Sequence, residues 1–127
     1  MRYQKRRKWK YRLYEDEEYL TDIKPYKEGT WGYLSMTKDG LLTIHEGYCW
    51  DGPSGPTIDT RSFMRGSLIH DALYQLIREC LISPNYRKMA DQALREICLI
   101  DGMWKMRGKW VYLAVRKAGK RSSRHDI

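Results

Sequence analysis

The stretch that decides the fold is RSFMRGSLIHDALYQLIRECLISPNYRKMADQALREICLI, residues 61–100. It holds two segments in which apolar residues recur at helical spacing, separated by the helix-breaking letters LISPN. The first segment predicts a helix from the capping residue Thr60 to about Cys80. The second, whose first turn contains Pro84, predicts a helix to about Ile100. Because the break between them is short, we expect the two helices to pack antiparallel.

On either side of this helix pair the sequence predicts an α+β protein: a small antiparallel sheet before the pair and a third helix after it. The letters TKDGLL contain an Asp-Gly pair that predicts a hairpin. The predicted elements are strands near residues 11–14, 30–36 and 41–50 and a third helix at 104–118. We expect a single domain made of a basic N-terminal arm (1–12), a β-rich part (13–50), a Gly/Pro loop (51–60), a helical core (61–118) and a basic tail (119–127).

Charge is concentrated at the two ends of the chain. The 127 residues carry a formal net charge of +8. Residues 1–12 contain seven Lys or Arg and no acid, and residues 116–127 contain five and one acid, whereas the remainder has 12 basic and 15 acidic residues. Such ends suit an anionic partner, whether nucleic acid, acidic lipid or an acidic protein surface, or else they are solvated tails. No run approaches the roughly 18 apolar residues of a membrane span, so we expect no integral membrane segment.

Three cysteines, Cys49, Cys80 and Cys98, form neither an even set nor a zinc-like spacing. Cys80 and Cys98 fall on apolar helix faces, which favours buried thiols over disulfides. We therefore expect the chain to be made in a reducing compartment.

The helix pair carries the candidate chemistry. At about 100° per residue, His70 and Asp91 fall on matching edges of the antiparallel pair and differ in level by only about 5 Å. A histidine held by a carboxylate is the basic unit of general-base catalysis. No serine is placed as a nucleophile, so the base would act on water. Asp71 points away from His70, towards the loop before the helix, where a hard cation such as calcium could find a carboxylate and backbone carbonyls.

The segments WDGPSGPTID, RGSLIHDALY and YRKMADQALREI, all between residues 48 and 100, resemble the phospholipase A2 superfamily. The similarity is greatest to the cysteine-poor type found in parvoviral capsid proteins. In that type an aromatic-x-Gly-x-Gly calcium loop precedes a His-Asp-x-x-Tyr helix, and Ala-Asp follows on an antiparallel helix. Arg65, five residues before the histidine, also matches, whereas Ser54 stands where the second glycine of the loop is expected.

The resemblance implies a role for each matching residue. His70 would activate water, Asp91 would orient His70, and Tyr74 would hydrogen-bond Asp91. The implied calcium ligands are Asp71 and oxygens of Trp50, Gly52 and Ser54. Read from the residues alone, Asp71 is as readily a solvated carboxylate, a cap or an ion-pair partner for Arg65 as it is a calcium ligand.

Over its whole length the chain resembles a family of small proteins common in tailed-phage genomes, through GYCWDGPSGP, HDALYQL and AVRKAG. That resemblance implies a viral origin, synthesis in the host cytoplasm and association with the virion. The leading expectation is a phage-encoded, phospholipase-A2-like hydrolase that acts on a membrane lipid surface with calcium. The alternatives are a non-catalytic virion or tail component that contacts other virion proteins, and a nucleic-acid-binding protein that uses its basic ends.

Overall fold

A computed structural model describes residues 1–5, 11–50 and 61–122, and within them short strands precede long helices. The strands are β1 (Tyr3–Lys5), β2 (Tyr11–Leu13), β3 (Glu17–Leu20), β4 (Gly29–Trp31), β5 (Leu34–Met36), β6 (Leu41–Ile44) and β7 (Cys49–Trp50). The helices are α1 (Arg61–Arg78), α2 (Arg87–Ile100) and α3 (Lys105–Ser122), with a 3-10 turn at Pro84–Tyr86. The predicted α+β class, with a third, C-terminal helix, is confirmed.

The strands form two antiparallel sheets, where the sequence predicted one. The first has the order β1-β2-β7 and the second the order β3-β6-β5-β4. The segment predicted as a strand at 30–36 is a hairpin, because Gly32 adopts a φ of +61° in a two-residue turn between β4 and β5. The predicted Asp-Gly hairpin is confirmed between β5 and β6, and its Gly40 has a φ of +99°.

The first residues of the predicted basic arm belong to the first sheet. Strand β1 pairs with β2, and Tyr11 and Leu13 of β2 are buried while Arg12 between them is exposed. Alternation of apolar and charged residues therefore places this segment at the edge of the core. Residues 3–5 and 11–12 of the predicted basic N-terminal arm therefore lie in strands, and residues 6–10 lie outside the described chain.

The antiparallel packing of α1 and α2 is confirmed, because residues near the start of α1 contact residues at the end of α2. At one end, Arg65 near the start of α1 makes a two-pronged salt bridge to Asp101, just after α2, at 2.9 and 3.0 Å. The helices come close at Gly66, where an added Cβ would lie 2.8 Å from Cys98 Sγ. Glycine at this position therefore allows the approach that brings the polar residues of the two helices into contact.

Helix α1 ends two residues before the predicted end, and Cys80 is exposed rather than buried. Cys80 has a φ of +63°, and the amides of Cys80 and Leu81 donate to the carbonyls of Ile77 and Leu76, at 3.0 and 2.9 Å. This is the Schellman arrangement that ends many helices, with cysteine at the position usually held by glycine. The spacing of apolar residues alone does not indicate where α1 ends. The predicted burial of Cys98 is confirmed.

The main hydrophobic core joins both sheets to α1 and α2. A smaller cluster attaches α3; its buried members are Phe63, Leu94, Cys98, Met103 and Val111. Helix α3 extends to Ser122, four residues past the predicted end at 118. Among the described residues, no helix is both long enough and apolar enough to span a bilayer.

Candidate active site

The contact predicted between α1 and α2 is present: His70 Nε2 lies 2.7 Å from Asp91 Oδ1. His70 sits in the middle of α1, with only 8% of its surface exposed, and Asp91 is fully buried in the first half of α2. Tyr74, one turn after His70, donates its hydroxyl to the same oxygen at 2.5 Å, and the two rings lie 4.2 Å apart. The three residues predicted as catalytic are therefore in contact with one another.

The second oxygen of Asp91 faces two arginines. Arg116 of α3 donates from Nη1 to Oδ2 at 2.9 Å, and Arg87, one turn earlier on α2, places Nη1 3.9 Å from the same atom. Arg87 also donates to the backbone carbonyl of Arg116 at 3.2 Å. A buried carboxylate is costly unless it is paired and hydrogen-bonded, and Asp91 satisfies both conditions with partners from all three helices.

These contacts keep Asp91 ionised and Tyr74 protonated. Burial raises the pKa of the Asp91 carboxyl, but the hydrogen bonds from His70 and Tyr74 lower it by more, so the pKa lies below its ordinary value. Burial and the hydrogen bond to Asp91 raise the pKa of Tyr74 well above its ordinary value. Tyr74 is therefore the donor and Asp91 the acceptor of their hydrogen bond.

The same hydrogen bond sets the tautomer of His70. Because an ionised carboxylate can only accept, Nε2 of His70 carries the proton, and in the neutral ring Nδ1 keeps its lone pair. Nδ1 lies 3.8 Å from Asp71 Oδ1, so the prediction that Asp71 points away from His70 is wrong. The Asp71 side chain is partly exposed. Burial lowers the pKa of His70, but the carboxylates of Asp71 and Asp91 raise it by more, so its pKa lies above the ordinary value of 6.5. The geometry thus holds one imidazole nitrogen and leaves the other as a base beside a second carboxylate.

The implied calcium ligands are only partly within the described chain. Asp71 and Trp50 are described, and Gly52 and Ser54 lie outside it. The Trp50 indole is buried and donates to Ser67 Oγ at 3.2 Å. In residues 1–5, 11–50 and 61–122 no group of three or more His, Cys, Asp or Glu could hold a metal. Calcium takes six to eight oxygen ligands, so Asp71 does not complete such a site with the described residues alone.

Sequence reasoning missed both arginines of the site and misplaced the partner of a third. Arg87 could have been found, because it lies four residues before Asp91 on a predicted helix, the spacing of an ion pair. Arg116 left no such signal, since the rotation of α3 about its axis depends on tertiary packing. Arg65 pairs with Asp101, so the reading of Asp71 as its partner is wrong.

Comparisons with protein-family models, with curated proteins and with solved structures found no match to this chain.

Proposed function

We propose that this chain is a phospholipase-A2-type hydrolase that cleaves a carboxylic ester of a lipid with a water molecule activated by His70. The observation that carries the proposal is the 2.7 Å contact between His70 Nε2 and Asp91 Oδ1, which orients a buried imidazole and leaves Nδ1 as a base. The resemblance of residues 48–100 supplies the substrate class.

In the proposed reaction His70 transfers the proton, and the other residues of the site hold His70 and Asp91 in place. Nδ1 of His70 takes a proton from water as the water oxygen attacks the ester carbonyl carbon, and Asp91 stabilises the imidazolium that forms. When the tetrahedral intermediate collapses, the alcohol leaves and receives the proton from Nδ1, which yields a fatty acid and a lysolipid. Tyr74 and Arg116 hold the Asp91 carboxylate in place through both steps.

The proposal includes calcium because the resemblance implies it and because Asp71, an implied ligand, lies beside His70. Bound there, the ion would polarise the ester carbonyl and balance the negative charge that develops on its oxygen. The steps assigned above use only atoms of His70, Asp91, Tyr74 and Arg116.

A second candidate is a non-catalytic virion or tail component, and one observation favours it. Asp91 joins all three helices through His70, Tyr74, Arg87 and Arg116. Removing one partner of such a buried network destabilises a protein by about 3–5 kcal/mol, so the network could persist for stability alone.

The variant His70→Gln separates the two candidates. A glutamine amide can still donate a hydrogen bond to Asp91, but it cannot accept a proton from water. With vesicles of phosphatidylcholine and phosphatidylglycerol, in calcium and in chelator, we expect fatty-acid release by the wild type and a loss of about a hundredfold or more in the variant. The melting temperature of His70→Gln should stay within a few degrees of wild type.

His45 offers a matched control. It is a half-buried histidine just after β6, and it contacts Ser35 Oγ at 2.6 Å and lies 3.5 Å from Asp16. His45→Gln should leave hydrolysis unchanged. Absence of hydrolysis by a folded wild type in both calcium and chelator would reject the enzyme and leave the virion component. If the wild type hydrolyses lipid in calcium but not in chelator, hydrolysis depends on the metal.

A further inference from the structure

Helix α3 presents apolar residues on two opposite faces. One face packs into the molecule through Val111 and Val115, and Gly108 lies on the same side, against Leu99. The other face carries Met106, Trp110 and Leu113 and is exposed. At 100° per residue these three positions fall within about 60° of one another and about 180° from the packed face. The exposed stripe is therefore separate from the residues that attach α3.

The stripe is unusually exposed for residues of its kind. Met106 is 73% exposed, Trp110 69% and Leu113 50%, and Trp104, just before the helix, is 83% exposed. Single exposed apolar residues are ordinary, but a set of three on one helix face, with a further exposed tryptophan just before the helix, indicates an interaction surface. Tryptophan favours the boundary between water and lipid, because its ring is apolar and its N–H is polar.

The charge of α3 identifies the kind of partner. Its sequence KMRGKWVYLAVRKAGKRS contains seven Lys or Arg and no acid. Lys109 and Lys117 are exposed. At 100° per residue Lys117 falls within the stripe and Lys109 about 40° from its edge. An apolar stripe with tryptophan, flanked by lysines and without acids, is the composition of helices that lie in the interface of an anionic bilayer.

We propose that α3 is an interfacial helix that docks the protein on an anionic lipid bilayer through Trp104, Met106, Trp110 and Leu113, with Lys109 and Lys117 against lipid phosphates. The inference deepens the proposed function and rests on it for the lipid substrate. Binding and hydrolysis are nevertheless separate measurements.

The position of the stripe agrees with that function. Arg116, which bonds Asp91, lies about 90° around the α3 axis from the centre of the stripe. Docking α3 on a bilayer would therefore bring the His70–Asp91 pair close to the lipid surface. Hydrolysis of lipid in a bilayer should depend on the stripe, whereas hydrolysis of a dispersed ester should not.

Vesicle flotation tests the proposal. Vesicles would be pure phosphatidylcholine or an equal mixture with phosphatidylglycerol, and the variant would carry Met106→Ser, Trp110→Ser and Leu113→Ser together. We expect wild type to float with the mixed vesicles, to bind pure phosphatidylcholine weakly, and to lose binding as salt rises. The triple variant should bind mixed vesicles about a hundredfold more weakly, because its apolar contact is gone.

Leu20 provides the control, since it is as exposed as Trp110, at 69%, but lies on β3. Leu20→Ser should bind like wild type.

The triple variant should hydrolyse a short-chain dispersed phospholipid at the wild-type rate and vesicles more slowly. Equal binding by wild type and triple variant would overturn the proposal. The proposal would also be overturned if the wild type formed a dimer that the three substitutions dissociate. The same holds if single-stranded DNA bound the protein and abolished its flotation with vesicles. Binding without hydrolysis of either substrate would reject the proposed enzyme, while the docking helix would stand.

Discussion

At the scale of single residues, Asp91 is the centre of the site. Its two oxygens receive hydrogen bonds from His70, Tyr74 and Arg116, and Arg87 adds a second positive charge. Four permanent charges surround the imidazole: the carboxylates of Asp71 and Asp91 and the two guanidiniums. They sum to zero while the ring is neutral. Protonation of His70 therefore adds a charge to a neutral site, and its pKa depends on how the arginines are held.

Removing Arg116 should raise the pKa of His70. Without that guanidinium, the negative charge of Asp91 is less balanced and favours the imidazolium. In Arg116→Gln we expect the proton affinity of His70 to rise on the order of tenfold above wild type, whose midpoint should itself lie above 6.5. NMR titration of the ring nitrogens measures both midpoints. Arg116→Lys should stay near wild type, and Lys117→Gln, which removes a neighbouring exposed charge, should change little. An unchanged or lower midpoint in Arg116→Gln would contradict this account of the site.

The residues of this site differ in how well a sequence reveals them. His70, Tyr74 and Asp91 could be predicted to meet, because helical spacing and a short break fix both the edge and the level at which they lie. Arg116 could not, since it reaches Asp91 from a third helix whose rotation is set by packing of its small apolar cluster.

At the scale of elements, the contact between α1 and α2 depends on Gly66. An added Cβ would lie 2.8 Å from Cys98 Sγ, 3.0 Å from Leu94 Cδ1 and 3.2 Å from the Leu94 carbonyl oxygen. The backbone oxygen cannot move without shifting α2. The helix pair is therefore held at a distance that only glycine permits, and the His70–Asp91 contact depends on that distance.

Gly66→Ala should destabilise the protein despite the better helix propensity of alanine. Alanine gains about 1 kcal/mol in a helix, whereas an overpacked core costs about 1–3 kcal/mol, so the net loss should be about 1 kcal/mol in the free energy of unfolding. Urea denaturation measures it. Gly108→Ala is the matched control, since the nearest neighbours of its Cβ would be side-chain atoms: Leu99 Cδ2 at 3.1 Å, Leu99 Cγ at 3.5 Å and Arg95 Cγ at 3.8 Å. It should be neutral or stabilising; a loss as large as that of Gly66→Ala would contradict the argument.

The elements were predicted unevenly, for a physical reason. The helices follow from local periodicity, and their type and order are correct. The strands are two to four residues long, and pairings such as β2 with β7 join distant parts of the chain, so local pattern could not divide them between two sheets. The end of α1 depends on Cys80 in a left-handed conformation that cysteine rarely adopts.

At the scale of the whole molecule, two features lie around one helix. Helix α3 supplies Arg116 to the buried site and an exposed stripe of apolar and basic residues to solvent. The basic C-terminal end, predicted as a tail, is in its described part a continuation of this helix. Lys109 and Lys117 of the same helix are exposed on the side of the stripe. In the proposed account, α3 binds the lipid surface and His70, the catalytic base, lies close to that surface.

The central claim is that neutral His70 is the base of a lipid hydrolase, and the pH dependence of hydrolysis tests it most directly. Initial rates would be measured on a short-chain dispersed phospholipid with calcium present. Because the base acts when unprotonated, the rate should be small in acid and rise with pH to a plateau. The midpoint should agree with the midpoint of His70 measured by NMR in the same calcium buffer, and it should move upward in Arg116→Gln. No hydrolysis at any pH, or a midpoint that Arg116→Gln leaves in place, would contradict the claim.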